Sequence, residues 1–372
     1  MHENGQTGNS HGTLSGDSFR ALVNGENHGW WHSLQRGGLW GASVPYSLLT
    51  RLRNRLYDSG WKTSHRVPVP VVSVGNLTLG GTGKTPCVEY LAGFFQQHNR
   101  RTAILSRGYG SARGPNDEAL VLQDNLPQVP HLQGPDRVFL ANEAIKNFRS
   151  EILVLDDGFQ HRRLARDLDI VLVDATQPWE PHLFPRGLLR ESYEGLRRAG
   201  FVLLTRCDQV ESRKRGRLKE AIAHYAPAVP IAESNHGPVH LINAAREVAA
   251  LAELHDRPVA AFCGIGNPHA FRKTLADLGA RVSTFRTFPD HHPYSSRDWE
   301  ELNRWAQQQE AESLVLTTQK DLVKLRHLRL GGKPLWALRI RLHIQEGQEV
   351  LDQKLTEIIG IMDRKPQIAE VH

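Results

Sequence analysis

A glycine-rich segment followed by lysine and threonine has the clearest chemistry in the chain. It follows a β-branched run, Val69–Val74, and ends in Lys84 and Thr85. Glycines let backbone N–H groups converge on a polyphosphate, and a helix beginning at the lysine adds partial positive charge. Lys84 is suited to neutralising β- and γ-phosphate oxygens, and Thr85 to ligating Mg²⁺. The strict motif needs glycine at position 78, where this chain has Thr78. The predicted nucleotide-binding residues are Gly80, Gly81, Thr82, Gly83, Lys84 and Thr85.

Two adjacent acids follow another apolar strand, predicted at Ile152–Leu155. An acid pair at the end of a strand is where a phosphate-loop enzyme holds Mg²⁺, and this segment fits a Walker B strand. The structural alternative is an Asp-Asp-Gly turn after a buried strand. The glycine-rich loop elsewhere in the chain favours the metal site, for which Thr85, Asp156 and Asp157 are the predicted ligands. Gln160 and His161 follow closely and are predicted to project into the same cleft.

Further polar residues follow other predicted strands, at the carboxyl edge where open α/β sheets bind ligands. The candidates for substrate contact are Arg107, Tyr109, Gln160, His161, Arg190, Glu191 and Lys320. Arginines around a turn are suited to grasping an anion, although spacing alone favours an ordinary basic loop as the explanation for Arg190. The loop at 288–294 contains Asp290, His291 and His292, and imidazole beside a carboxylate is suited to accepting a proton near pH 7.

Alternating strand and helix patterns from about residue 68 onward predict βαβ units and a mainly parallel sheet. This sheet would position the residues named above. The chain has 372 residues, a net charge of +6 and three widely spaced cysteines. Its basic balance favours an anionic partner, and its cysteine usage favours a reducing compartment without a disulfide framework. A loop-like stretch at 225–245 predicts a boundary between two domains.

The N-terminal region is predicted to contain no signal peptide. Residues 1–36 are expected to be a disordered polar extension, and residues 37–62 an amphipathic basic helix. Leucine, tryptophan and tyrosine alternate there with Arg51, Arg53 and Arg55, which is too much charge for a spanning helix. The composition fits a helix lying in a membrane interface, or equally a surface helix packed on the domain.

Six separated motifs together resemble the tetraacyldisaccharide 4'-kinase family, and they occur in the family's order. They are G-N-L-T-L-G-G-T-G-K-T-P from 75, S-R-G-Y-G from 106, D-D-G-F-Q-H-R-R from 156, L-R-E from 189, F-P-D-H-H from 288 and T-Q-K-D from 318. The resemblance extends over about residues 38 to 360. It implies a P-loop NTPase-like α/β fold, a mainly parallel sheet flanked by helices, with a kinase domain at 63–230 and a smaller α/β domain at 231–372.

The resemblance also implies a reaction, its participants and a location. ATP with Mg²⁺ would phosphorylate the 4'-hydroxyl of a tetraacyldisaccharide-1-phosphate, the lipid A precursor, at the cytoplasmic face of a Gram-negative inner membrane. The family's aspartate–histidine dyad, which activates the hydroxyl, falls on Asp117 and His291, with Lys84 as the third catalytic residue. Here Asn116 to Ala119 replace the family's usual G-D-E-P. Adjacent His292 remains an alternative to His291.

Two other nucleotide-binding classes share parts of these motifs. The glycine loop also resembles that of ParA/MinD-like switch ATPases at membranes, although Leu79 stands where their signature lysine lies. Thr205–Asp208 resembles the guanine-reading motif of GTPases, with Arg206 replacing its lysine. No nucleic-acid-binding motif and no sign of an obligate protein partner is found in the sequence.

Overall fold

The computed structural model describes residues 30–108, 116–180 and 182–364. Its helices are α1 (Trp30–Asp58), α2 (Lys84–Gln97), α3 (Asp117–Asn125), α4 (Arg137–Phe148), α5 (Ser212–Tyr225), α6 (Pro268–Asp277), α7 (Ser296–Gln307), α8 (Gln319–Leu325) and α9 (Gln348–Arg364). Its strands are β1 (Val71–Asn76), β2 (Thr102–Ser106), β3 (His131–Gln133), β4 (Ile152–Asp156), β5 (Leu168–Asp174), β6 (Phe201–Thr205), β7 (Ile231–Ile242), β8 (Val248–Ala249), β9 (Pro258–Cys263), β10 (Arg281–Thr287), β11 (Leu314–Thr318), β12 (Arg329–Leu330) and β13 (Lys333–Glu346).

The chain forms two compact units. Of the described residues, the first contains 30–62, 77–80, 178–180 and 182–195, and the second contains 63–76, 81–108, 116–177 and 196–364. The division that the sequence predicts between residues 230 and 231 stays a prediction.

In the first unit, α1 is held by polar contacts to a loop. Tyr46 Oη donates to the Arg190 carbonyl at 2.8 Å, and Asn54 Nδ2 donates to Glu191 Oε2 at 2.9 Å. Glu191 is buried, so its carboxylate needs such a donor. The two residues predicted to contact substrate, Arg190 and Glu191, therefore lie in the loop that α1 contacts.

Helix α1 begins earlier than the sequence analysis predicts. It starts at Trp30, so residues 30–36, which were expected to be part of the disordered extension, are its first turns. The apolar pattern extends towards the N-terminus from the two glycines, Gly37 and Gly38, to Leu34, Trp31 and Trp30. The glycines do not interrupt the helix. Its apolar side chains are mostly exposed: Trp30, Trp31, Leu34, Trp40, Val44, Leu48, Leu49 and Leu52. Among the residues described, no helix is long and apolar enough to cross a membrane.

The second unit is built on one sheet, with strand order β10-β9-β11-β13-β7-β6-β5-β1-β4-β2-β3. Neighbours along this order are parallel except β13 and β7, which are antiparallel. The predicted mainly parallel α/β fold is confirmed.

Strand β7 occupies the stretch that the sequence indicates as a loop. Gly237 and Pro238 lie inside it, and the β7–β13 register shifts beside the pair Ile340 and Pro238. Proline lacks a backbone N–H, so an irregularity in the ladder accommodates it. The β7–β13 pair joins two parallel halves of the sheet, and this long-range pairing stabilises a strand that local propensity disfavours.

Both faces of the sheet are buried at β1, which explains its continuous apolar sequence. Val72 and Val74 pack on one face with Leu91 of α2, whereas Val71 packs on the other face with Leu153. The core thus fixes the end of β1, from which the glycine-rich loop departs.

Leu91→Ala tests this core. Leu91 is 0% exposed, so we expect the free energy of unfolding to fall by about 2–5 kcal/mol through lost burial and a cavity. Leu49→Ala is the matched control, because Leu49 is 66% exposed and its truncation should change stability by no more than about 0.5 kcal/mol. Urea unfolding followed by circular dichroism measures both, and equal midpoints for the two variants would contradict the packing.

Candidate functional site

The glycine-rich loop joins β1 to α2. Gly83 directly precedes Lys84 with a φ of +91°, a backbone conformation that favours glycine. A Cβ at Gly83 would collide with the His236 ring, so a larger residue would require that ring to shift. Gly83 has no side chain to cap α2, and the first turn contains no acid. The helix N-terminus therefore retains the donors and the dipole that bind a phosphate.

A segment after β6 supports the back of the loop. Thr205 Oγ1 donates to the Thr82 carbonyl at 3.0 Å, and Arg206 donates to the Gly81 carbonyl at 2.8 Å. Arg206 also forms an ion pair with Asp174 at the end of β5. The Thr205–Asp208 motif thus contacts the phosphate loop, and residues at the ends of β5 and β6 support the loop conformation.

The acid pair lies beside the loop because β4 is the parallel neighbour of β1, with Val74 opposite Asp156. Lys84 Nζ lies 3.4 Å from Asp157 Oδ1. Burial raises the pKa of Asp156 to about 6; Lys84 opposes this shift, and the charges of Asp157 and Glu118 add to it. Within the described residues, Asp156 Oδ1 is buried without a hydrogen-bond partner.

This donor set fits Mg²⁺ as a kinase holds it. Mg²⁺ binds through one or two carboxylates together with water and substrate phosphates, not through an all-protein cage. Asp156 and Asp157 supply the carboxylates, the orphaned Asp156 oxygen lacks the partner that a cation would be, and Thr85 is half-buried in the first turn of α2. No cluster of three or more His, Cys, Asp or Glu suited to a metal occurs in the part of the chain that the structure describes.

Asp117 and His291 are brought together from distant positions in the sequence. Asp117 begins α3, whose N-cap residue Asn116 accepts from the backbone N–H of Ala119. His291 Nδ1 lies 3.1 Å from Asp117 Oδ2, and the carboxylate accepts this hydrogen bond. Burial alone would raise the pKa of Asp117, but the hydrogen bond from His291 and the charge of Lys324 hold it below its usual value. The same hydrogen bond raises the pKa of His291 above the ordinary histidine value.

The neighbouring His292 has different partners. Its Nε2 lies 3.0 Å from Asp298 Oδ2, and its ring stacks on Phe288 with centroids 4.9 Å apart. Asp298 forms a capping box with Ser295 at the start of α7. His292 thus supports the loop and helix end, whereas His291 faces Asp117, so the geometry favours His291 as the dyad member.

Of the predicted substrate residues that the structure describes, Arg107, Gln160, His161 and Lys320 lie in the second unit. Gln160 Nε2 donates to the Asn76 carbonyl at 2.8 Å, which places Gln160 at the end of β1. Burial lowers the pKa of His161 to about 4, with further lowering by nearby arginines, so its imidazole is neutral at pH 7. Lys320 Nζ lies 2.7 Å from Glu118 Oε1. Arg107 directly follows β2 and is exposed, and Tyr109 lies outside the described residues.

Three contributors were not assigned to the site from the sequence. Glu118 is adjacent to Asp117 and belongs to the same cluster, and Arg206 supports the loop. Lys324 lies 3.3 Å from Asp117. A signal for Lys324 was available, because it follows Lys320 by one helical turn and four residues separate neighbours on a helix face.

A family profile, curated relatives and a solved structure that resemble this chain all belong to one family. A sequence profile described as LpxK, tetraacyldisaccharide-1-P 4'-kinase, matches residues 36–359. A tetraacyldisaccharide 4'-kinase of Anaeromyxobacter sp. (strain Fw109-5) is 41% identical over 82% of this chain and 86% of its own, and one from Syntrophus aciditrophicus (strain SB) is 37% identical over 82% and 88%.

A crystal structure of LpxK from Aquifex aeolicus, described as in complex with ATP, superposes with a TM-score of 0.72. It is 32% identical and covers 87% of this chain and 99% of its own. The resemblance inferred from the six motifs is confirmed, and the switch-ATPase alternative is not favoured. The chain therefore belongs to the tetraacyldisaccharide-1-P 4'-kinase family.

Proposed function

We propose that this kinase transfers the γ-phosphoryl group of ATP to the 4'-hydroxyl of a tetraacyldisaccharide-1-phosphate. The observation that carries the proposal is that Lys84 with the acid pair, and the Asp117–His291 pair, are electrostatically linked within the second unit. Glu118, next to Asp117 in α3, is close enough to raise the pKa of Asp156. A nucleotide cradle and a candidate proton acceptor within interacting distance are what phosphoryl transfer to an alcohol requires. The names of the similar proteins supply the acceptor.

The nucleotide side of the site consists of the loop and the acid pair. The backbone donors of Gly80 to Gly83 would hold the phosphates, and Lys84 would compensate their charge. Mg²⁺, held by Asp156, Asp157 and Thr85, would supply charge neutralisation at the phosphoryl oxygens when bound. The elevated pKa of Asp156 shows that burial penalises its charge, and a bound cation would offset that penalty.

The acceptor side depends on His291 and Asp117. Because Nδ1 of His291 is bonded to Asp117, Nε2 is the nitrogen that takes the proton of the 4'-hydroxyl. The hydroxyl oxygen then forms its bond to the γ-phosphorus as the bond to the bridging oxygen breaks and ADP leaves. The Asp117 carboxylate stabilises the imidazolium that results. Arg107, Gln160, neutral His161 and Lys320 are proposed to contact the acceptor. The predicted roles of Tyr109, Arg190 and Glu191 in acceptor binding are proposed as well.

A membrane location is also proposed. Helix α1 presents exposed tryptophan and leucine side chains together with Arg51 and Arg55, which is the composition of a helix in an anionic membrane interface. A tetraacylated acceptor lies in a bilayer, whereas ATP is cytosolic. The cysteines, Cys87, Cys207 and Cys263, are buried free thiols, which suits a reducing compartment. We therefore infer the cytoplasmic face of a Gram-negative inner membrane.

Lys84→Met tests the transfer itself. Incubation with γ-³²P-ATP, Mg²⁺ and tetraacyldisaccharide-1-phosphate in detergent micelles should give labelled lipid with the wild-type protein. Loss of the Lys84 cation should lower kcat by roughly 10²–10³-fold. Lys354→Met, which removes an exposed lysine on α9, should leave the rate unchanged. No labelled lipid from the wild type, with ATP hydrolysis persisting, would contradict the proposal.

His291→Ala and His292→Ala distinguish the two adjacent histidines. Removal of the proton acceptor should lower kcat by roughly 10²–10⁴-fold, whereas His292→Ala should retain kcat and lower the melting temperature through lost contacts to Asp298. Comparable losses of kcat in folded forms of both variants would contradict the assignment.

The pH dependence gives an independent check of the dyad. The wild-type rate should rise as His291 deprotonates, with a midpoint above 6.5, because Asp117 raises the pKa of His291. Asp117→Asn removes the anion, so the midpoint should move to lower pH as kcat falls. The kcat profile between pH 5 and 9 measures both, and a midpoint that does not move would contradict His291 as the base.

Removing apolar side chains from α1 tests the membrane location. Trp40→Ser with Leu48→Ser should weaken binding to vesicles of phosphatidylglycerol and phosphatidylethanolamine by roughly tenfold or more, because each exposed apolar side chain contributes about 1.5–3 kcal/mol on burial. Phe139→Ser is the control, since Phe139 is an exposed apolar residue on α4. Co-sedimentation measures the bound fraction, and equal binding by both variants would exclude α1 as the anchor.

A further inference from the structure

Two lysines of α8 face two acids at the start of α3. Lys320 Nζ lies 2.7 Å from Glu118 Oε1, and Lys324 Nζ lies 3.3 Å from Asp117 Oδ2. Residues four apart share one helix face, so α8 presents both cations to the two consecutive acids. The two helices thus make a pair of charge contacts, one of which ends on the proposed catalytic aspartate.

Lys324 is buried and fixed in place. Its side chain is 8% exposed, and Nζ also lies 3.1 Å from Asp321 Oδ1. Asp321 is 0% exposed and accepts from the Gly264 N–H at 3.0 Å and from Thr318 Oγ1 at 2.7 Å. The ammonium group lies 5.1 Å from the centroid of the Tyr294 ring. These neighbours leave Lys324 little freedom, so its charge is held at a constant position relative to Asp117.

The charged groups around the pair come from several elements. Lys324 faces Asp117 from α8. His291 Nε2 lies 3.9 Å from Glu118 Oε1 and 3.8 Å from Asp290 Oδ1, and Lys320 offsets these acids. Asp117 thus has a cation on one side and the imidazole on the other. Without Lys324, buried Asp321 and Asp117 would lie near each other uncompensated, and protonation of one of them would relieve the repulsion.

We propose that Lys324 is a positioning residue that keeps Asp117 ionised and oriented as the acceptor of the His291 Nδ1 hydrogen bond. This inference rests on the proposed function, because Lys324 acts only through Asp117 and His291. Its charge stabilises the anion that orients the imidazole, and this anion raises the pKa of His291. Lys324 therefore sets the pH at which Nε2 becomes available as a base.

Lys324→Met and Lys324→Arg separate charge from packing. Methionine keeps most of the volume without the charge, and arginine keeps the charge. Lys273→Met is the matched control, since Lys273 forms an exposed pair with Asp277 on α6. For each variant we would measure kcat, the KM for ATP and the pH profile of lipid phosphorylation, together with the melting temperature.

We expect Lys324→Met to lower kcat by about 10- to 100-fold with the KM for ATP within about twofold of wild type. Its profile should move to lower pH by at least about 0.5, as in Asp117→Asn, because an Asp117 without its cation retains a proton and no longer raises the pKa of His291. Lys324→Arg should recover much of kcat and the wild-type midpoint. A folded Lys324→Met protein with an unmoved midpoint, or with unchanged kcat, would overturn the proposal, since a purely structural role lowers stability without shifting the profile.

A second readout does not need turnover. Diethyl pyrocarbonate acylates neutral imidazole, and the half-exposed His291 is accessible to it. Peptide mass spectrometry across a pH series should show the midpoint for His291 modification falling in Lys324→Met, while the modification of exposed His255 stays unchanged. An unmoved His291 midpoint would overturn the inference. A shifted midpoint in a protein that labels no lipid would instead overturn the proposed function and retain the charge coupling.

Discussion

The parallel pairing of β1 with β4 is the constraint on which the site depends. It sets Val74 opposite Asp156, so the loop that leaves β1 and the acids that end β4 emerge side by side. Both strands are buried on both faces, and a slip of one residue would reverse every side chain. The 3.4 Å contact between Lys84 and Asp157 follows from that register. Lys84 opposes the effect of burial on Asp156, and without the lysine burial would further favour the neutral form of Asp156, which cannot hold a cation.

The acceptor side depends on charge balance between two helices. Asp117 and Glu118 lie in the first turn of α3, where the helix dipole favours acids, and α8 supplies a lysine to each. His291 enters from a different loop with a φ of +60°. The Asp117 carboxylate that it contacts sets its orientation. Lys324 in turn contacts Asp117, so its charge acts on His291 through Asp117.

How much the sequence could predict varies with the range of the interactions involved. The phosphate loop and the acid pair are local patterns, and the parallel sheet follows from alternating segments, so these were predicted and the fold was confirmed. Strand β7 was not predicted, because Gly237 and Pro238 indicate a loop locally and only pairing with β13 makes the segment extended. Helix α3 was also missed, although its N-cap Asn116 and the acids after it are a start signal. The roles of individual residues stay predictions, because motifs give the residue types and not the contacts.

The free-energy cost of burying the Lys324 charge favours a functional explanation for this residue over a purely structural one. Taking ions out of water costs free energy that an ion pair recovers only in part, so apolar replacements are often no less stable. Arg339 and Glu89 form another largely buried ion pair, 2.7 Å apart. It joins β13 to α2, two elements that are distant in the sequence, so the fold itself explains this pair. Lys324 differs, because one of its two carboxylates also bonds the proposed base. A methionine in its place would keep the packing of α8 and would change the ionisation of His291.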